Sequence, residues 1–179
     1  MFRSITPLLR SDAARIEDHL TRLCAEDRSL RFAAGLVTDE TIRRYVSAIP
    51  FESDLVLGLV SQRGNVFGLV HGCVFTAGGR SHVEAALSID AAWRGHGLAT
   101  TLMQALTACV ADRADAAGAT IVGSCAARNL PMRAVFGHAG MTLRREDDEF
   151  HAHGVVSASL GLAGPAERRL FPIEISATG

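Results

Sequence analysis

Lysine is missing from this sequence: all 18 of its basic residues are arginines. Such a chain offers no side-chain amine of its own to an acylating reagent, although a coding bias toward arginine produces the same composition. An excess of either charge is also lacking. The formal net charge is −1, so no long-range field draws in nucleic acid or anionic lipid, and neither is expected as a partner. Long apolar runs are absent too. Nothing approaches the roughly 20 residues that a membrane span needs, and the opening MFRSITPLLR has no apolar stretch of signal-peptide length. No membrane association is expected. Cysteine is sparse and scattered: Cys24, Cys73, Cys109 and Cys125 form no C-x-x-C pair. That argues against structural zinc and a disulfide framework, and the expected location is the cytoplasm. His82-Val83-Glu84 has the H-x-E form of zinc deaminases without a following P-C-x-x-C. His151 and His153 share a strand face without a third ligand. No metal is expected.

What is present reads as one α/β domain, since 179 residues suit a single sizeable core. Phe2 to Leu9 reads as an opening strand. Ser11 and Asp12 can cap a helix with the stripe Ile16, Leu20, Leu23 and Cys24. A second helix starts at Thr38 and closes at Pro50, with Ile42, Val46 and Ile49 on one face. The period then changes to that of an antiparallel meander. Its strands are Leu55 to Val60, Val66 to Phe75 and His82 to Ile89, with turns at Gln62-Arg63-Gly64-Asn65 and Ala77-Gly78-Gly79-Arg80. Leu98, Leu102, Ala105, Leu106, Cys109 and Val110 mark the longest helix, ending near Gly118. A buried strand from Thr120 to Cys125 follows, so strand, helix and strand suggest a parallel pair with a crossover. A helix from Leu130 to His138 and a hairpin around Glu146-Asp147-Asp148-Glu149 complete residues 1–160. Residues 161–179 read as a C-terminal tail.

The turn WRGHGLATTL between strand and helix carries the chemistry. A helix N-terminus leaves its first amides unpartnered and bears about half a positive charge, which suits phosphate oxygens. Gly95 and Gly97 permit positive φ and remove Cβ atoms that would block a ligand. Thr100 and Thr101 add hydroxyls, and Arg94 adds a cation. Glycines alone fit a phosphate cradle and an empty tight turn equally well. Gly95-x-Gly97-x-x-Thr100 lacks the third glycine of G-x-G-x-x-G, and no G-K-[ST] is present.

Arg94-Gly95-His96-Gly97-Leu98-Ala99 nevertheless resembles the Q/R-x-x-G-x-G/A motif of the GNAT acetyltransferases. Residues 129–141, NLPMRAVFGHAGM, resemble that family's N-x-x-[AM]-x(7)-G-[FM] helix. The resemblance spans roughly residues 2–160. It implies the GNAT fold, a mixed sheet of about six or seven strands with helices on both faces, and acetyl-CoA as the acyl-donating cosubstrate. It implies that Arg94, Gly95, His96, Gly97, Leu98, Ala99 and Thr100 cradle the pyrophosphate. Leu87, Ser88 and Ile89 would pair with the pantetheine arm, and Asn129 and Met132 would lie beside it. Leu9-Arg10-Ser11-Asp12, Leu20-Thr21-Arg22-Leu23 and Ser29-Leu30-Arg31-Phe32 look like the opening of bacterial Pat-type protein lysine acetyltransferases. That branch has a glutamate ten residues before the motif's Q/R, and here Glu84 stands ten before Arg94.

The expected reaction moves an acetyl group to a primary amine, with a protein lysine as the first acceptor. A small-molecule amine acetyltransferase and a non-catalytic acyl-CoA sensor are the alternatives; a monomer or homodimer is expected. An alkylammonium has a pKa of about 10.4, so forming the neutral amine near pH 7.4 costs about 4 kcal/mol. A base must therefore take its proton, and Glu84 is the candidate. A strand amide within Leu87-Ser88-Ile89 would hold the oxyanion. The family's usual proton-donating tyrosine, seven residues after the Asn, is replaced by Phe136. That leaves Ser124, Cys125 or solvent for the task.

Overall fold

The structure is a computed structural model and describes residues 3–115, 118–158 and 171–173. Eight strands form one sheet: β1 (Arg3–Pro7), β2 (Leu55–Val60), β3 (Val66–Ala77), β4 (Arg80–Ile89), β5 (Ala119–Ala126), β6 (Thr142–Glu146), β7 (Glu149–Val156) and β8 (Phe171–Ile173). Their order is β6-β7-β5-β4-β3-β2-β1-β8. β4 and β5 run parallel, and the other neighbours are antiparallel. Strands β1 to β7 meet the expected number. The eighth lies in the stretch read as a tail, where three residues pair with the outer edge of β1.

Five helices accompany the sheet: α1 (Ala13–Arg22), α2 (Ala25–Phe32), α3 (Asp39–Ala48), α4 (Leu98–Arg113) and α5 (Leu130–His138). Two apolar layers hold them, one on each face of the sheet, as the sequence implied. Leu98, Leu102, Met103, Leu106 and Val110 of α4 pack with Val135 and Phe136 of α5 against β2 to β5. On the other face, Ile16 and Leu20 of α1 meet Ile42 and Val46 of α3 over Val56 and Leu69. Thr38 caps α3 as expected, its hydroxyl accepting from Thr41 N at 3.2 Å.

One helix differs from expectation. The stripe Ile16, Leu20, Leu23, Cys24 does not continue to Cys24: α1 stops at Arg22, and Cys24 is the exposed N-cap of a new helix, its Sγ donating to Asp27 Oδ2 at 3.0 Å. α2 buries no residue, so it shows no apolar period to read. It lies instead across a cavity, against β4.

Candidate active site

The ladder between β4 and β5 begins at Ser81↔Ala119 and ends at Glu84↔Val122. Beyond that pair the strands part, although β4 continues to Ile89 and β5 to Ala126. Phe136 stands at the parting point. It is fully buried, and a Cβ added at Gly123 would lie 2.7 Å from its Cζ and 3.4 Å from Ala85 O. An aromatic edge thus occupies the space a side chain on β5 would need, which is why glycine is required there. Past this point a cavity of about 740 Å³ opens, lined by residues 84–89 of β4, Ser124 and Cys125 of β5, Asn129 and Met132, and closed over by α2 and Tyr45.

At one end lies the glycine turn. Gly95 (φ +77°) and Gly97 (φ +71°) occupy the left-handed region, where L side chains are strained. Gly97 is the N-cap of α4, and no side chain caps this helix. A Cβ at either glycine would meet nothing within 4 Å, so the space above the turn is open. The α4 amides are left for an outside acceptor, and the turn therefore fits a phosphate group. Leu98 is buried, while Ala99 lines the cavity and Thr100 is half-buried. His96 is exposed, its Nδ1 donating to Arg94 O at 2.7 Å.

The Arg94 side chain borders the cavity as well. Its guanidinium donates to Ile89 O at 3.2 Å and to Asp27 Oδ2 at 2.7 Å, fastening the end of β4 to α2. Burial works to raise the Asp27 carboxyl, but hydrogen bonds from Arg94 and Cys24 outweigh it and hold the group below the usual range. Trp93 packs the turn, its ring 5.1 Å from that of Phe67. Asn129 caps α5, its Oδ1 accepting from Met132 N at 3.2 Å, and both residues line the cavity.

Of the β4 residues, Leu87, Ser88 and Ile89 all border the cavity. The Ser88 hydroxyl, however, is held 2.9 Å from Nε2 of the fully buried His19 on α1. His19 Nδ1 lies 2.8 Å from Asp90 Oδ1, and Arg22 donates to Asp90 Oδ2 at 3.1 Å and to Val66 O at 2.6 Å. Burial works to raise the Asp90 carboxyl, but His19 and Arg22 together hold it below the usual range. This cluster bolts the end of β4 to α1 and keeps the strand edge in place beside the gap.

Glu84 is exposed and lines the cavity, opposite Cys73 in the β3–β4 ladder. Beside it stands a polar chain assembled from four elements. Asp54, almost fully buried, accepts from Val74 N at 3.0 Å through Oδ1 and from His71 Nε2 at 2.8 Å through Oδ2. His71 Nδ1 then accepts from the Tyr45 hydroxyl at 2.5 Å, and Arg31 donates to the same hydroxyl at 2.8 Å. A carboxylate that accepts from Nε2–H fixes this tautomer. Tyr45 is the chain's single tyrosine and, like His71 and Arg31, lines the cavity. Of the four, only Arg31 was quoted from sequence, within Ser29-Leu30-Arg31-Phe32 and without a role at the site. The available signals were a histidine inside the apolar run VFGLVHGCVF and the lone phenol.

Burial pushes the His71 imidazole down and outweighs the hydrogen bond and charge of Asp54; the positive charge of Arg31 also lowers it. The unfolded chain thus takes up a proton at His71 before the folded protein does. Stability from this group is fully present above about pH 6.5 and is lost as the pH falls from there through the folded value. The melting temperature is expected to drop on acidification from about pH 7.5 to 5.5. A His71→Gln variant, though less stable, should have a flatter profile over that window in calorimetry.

The cysteines lining the cavity are thiols. Burial raises Cys73, as do the charges of Asp54 and Glu84. Burial also raises Cys125, and Glu149 adds to this against the opposing charge of Arg133. Cys125 is part of the apolar core while it also borders the cavity. The acidic run 146–149 is an exposed turn at the β6–β7 tip and is not among the cavity's walls. Among the described residues no three His, Cys, Asp or Glu side chains are grouped to hold a metal ion, and no helix is long and apolar enough to cross a membrane.

Comparison with known proteins agrees with this geometry. Residues 5–142 match the family described as Acetyltransferase (GNAT) domain. No curated protein matches the chain. Among solved structures, the GNAT domain of S. lividans PAT superposes with a TM-score of 0.69 at 22% identity, covering 84% of this chain and 89% of that one. Spermidine N-acetyltransferase from Vibrio cholerae, in complex with CoA and spermine, gives 0.65 at 16% identity, with 86% and 95% covered. A phosphinothricin acetyltransferase from Sinorhizobium meliloti, in complex with AcCoA, gives 0.65 at 15%, with 93% and 95% covered. With a family match over most of its length, the chain belongs to the GNAT acetyltransferase family.

Proposed function

We propose that this protein transfers an acetyl group from acetyl-CoA to a primary amine. The observation that carries the reading is the continuity of one open path, from the uncapped turn at Gly97, along the unpaired edge of β4, to the carboxylate of Glu84. The α4 amides and the left-handed glycines would hold the pyrophosphate. Backbone groups of Leu87, Ser88 and Ile89 would pair with the extended arm, with Asn129 and Met132 on its other side. Bound there, acetyl-CoA supplies an acyl group already activated as a thioester.

The chain's own groups then handle the protons. Glu84 accepts the proton of the incoming ammonium, and an amide of β4 donates to the acyl oxygen. Phe136 is buried away from the cavity walls and has no proton to give. Tyr45 is the phenol the cavity does offer, with His71 and Asp54 behind it to hold or release its proton. A protein lysine is one amine that satisfies this scheme; the unpaired charges in the cavity favour a smaller acceptor.

Calorimetry with CoA tests the path. The wild-type protein is expected to bind, and Gly97→Val to weaken binding by at least about tenfold. The branched side chain is strained at φ +71° and fills the space over the α4 amides. Absence of any heat with the wild-type protein would remove the cofactor and the proposed reaction together.

A further inference from the structure

Most arginines near the helical face have a carboxylate. Arg10, Arg15, Arg22, Arg28, Arg43 and Arg94 each lie within ion-pair distance of one. Arg31, in the last turn of α2, has none among the described residues. Its guanidinium stacks over Phe32 (5.2 Å to the ring centroid) and Tyr45 (5.4 Å), and one NH2 group donates to the Tyr45 hydroxyl. Its Nε is buried without an acceptor. Holding a half-buried guanidinium without a counter-charge costs stability, yet the fold holds this one against the touching rings of Phe32 and Tyr45 (centroids 5.1 Å apart) on the wall of the cavity.

Glu84 is its complement. This carboxylate lines the same cavity and likewise has no ion-pair partner among the described residues. Cys73 faces Glu84 in the β3–β4 ladder and His71 faces Ala86, so His71 is the diagonal neighbour of Glu84, with Cβ atoms about 7 Å apart. Tyr45 and then Arg31 stand beyond His71. Both charges act on His71, in opposite directions, but they do not pair with each other. Among the other charged groups of the cavity, Asp27 and Arg94 neutralise one another; Glu26 and Arg128 are exposed, as Glu84 is, whereas Arg31 is half-buried and hydrogen-bonded to Tyr45. A cation on α2 and an anion on β4, both lining one cavity and unpaired with each other, complement a molecule that carries the opposite pair.

We propose that the acceptor is a small zwitterion, an amine bearing its own carboxylate such as a free amino acid, with its amine at Glu84 and its carboxylate on Arg31. This rests on the amine-acetyltransferase reading and names the substrate class for it. A planar guanidinium with fixed orientation binds a carboxylate through paired hydrogen bonds. A diamine would instead bring a second ammonium against Arg31.

The test measures thiol release from acetyl-CoA with free α- and ω-amino acids, the methyl ester of each, a diamine and a lysine-containing peptide. For the best amino acid, kcat/KM is expected to exceed that of its ester by about tenfold to a hundredfold, the worth of one charge-assisted hydrogen-bonded contact. Arg31→Ala should collapse that ratio toward one, chiefly through KM, and Arg31→Lys should leave it intermediate. The ratio compares two acceptors on one protein, so a general loss of activity in a variant does not imitate the result. Equal use of acid and ester, or preference for the diamine or the peptide, overturns the zwitterion and leaves the acetyltransferase standing. Thiol release that no amine accelerates overturns both.

Discussion

Replacing Glu84 with alanine is expected to lower turnover by about 10²–10⁴-fold while CoA binding stays nearly unchanged. The two effects separate because the residue and the cofactor's anchor are separate. Glu84 stands where the β4–β5 ladder ends, ten residues before Arg94 and the glycine turn, and its side chain faces the acceptor end beside Cys73 and His71. In the proposed reaction its task is to take a proton that the amine holds by about 4 kcal/mol at neutral pH. Glu84→Gln keeps the shape and removes the basicity, so it should lose as much as the alanine variant. Tyr45→Phe supplies the contrast. If Glu84→Gln turns over normally and Tyr45→Phe does not, the base is the Tyr45–His71–Asp54 chain and Glu84 leaves the mechanism.

Phe136→Ala is expected to cost about 3–5 kcal/mol of folding stability, a large part of the roughly 5–15 kcal/mol that a domain of this kind has. The ring is fully buried and is among the largest side chains in that state. It also touches two structures at once: it packs in the core with Leu102, Leu106 and Val135, and its edge lies against Gly123 where β5 leaves β4. A cavity there removes contacts from α5 and from the fork together, and neither can close the space without shifting a strand. Urea denaturation followed by circular dichroism gives the number. A loss under about 1 kcal/mol would show that the fork relaxes around the missing ring, contrary to the packing argument.

Much of this was legible in the sequence. β2 was read with its observed bounds and α5 likewise, because Leu55–Val60 is a compact apolar run between turns and Asn129 and Gly140 bracket the helix. The parallel placement of β4 and β5 followed from strand, helix and strand in that order. The glycine turn was legible because positive φ selects glycine directly. α2 was not, since a helix that buries nothing leaves no period behind. β8 was not, being three residues long and paired with a strand far away in sequence. The Asp54–His71–Tyr45–Arg31 chain was illegible for another reason. Its members come from a loop, β3, α3 and α2, so no local spacing joins them, and only the tertiary fold brings them into hydrogen-bonding distance. Arg94 shows another side: its motif position marks it as a cofactor residue, but the bonds of its guanidinium to Ile89 and Asp27 join distant parts of the chain and leave no local spacing to read.

The parting of β4 and β5 has a consequence for the endurance of the fold itself. Four residue pairs, Ser81 to Glu84 with Ala119 to Val122, are the whole of the parallel seam that joins the β1–β4 half of the sheet to the β5–β7 half. Above it, backbone donors and acceptors on two strands wait for an occupant to act as a surrogate strand. Whatever lies there completes the seam, and binding to the native state alone raises its resistance to heat by mass action. If acetyl-CoA binds in the gap as proposed, the protein's thermal endurance becomes a gauge of how much of that cosubstrate surrounds it.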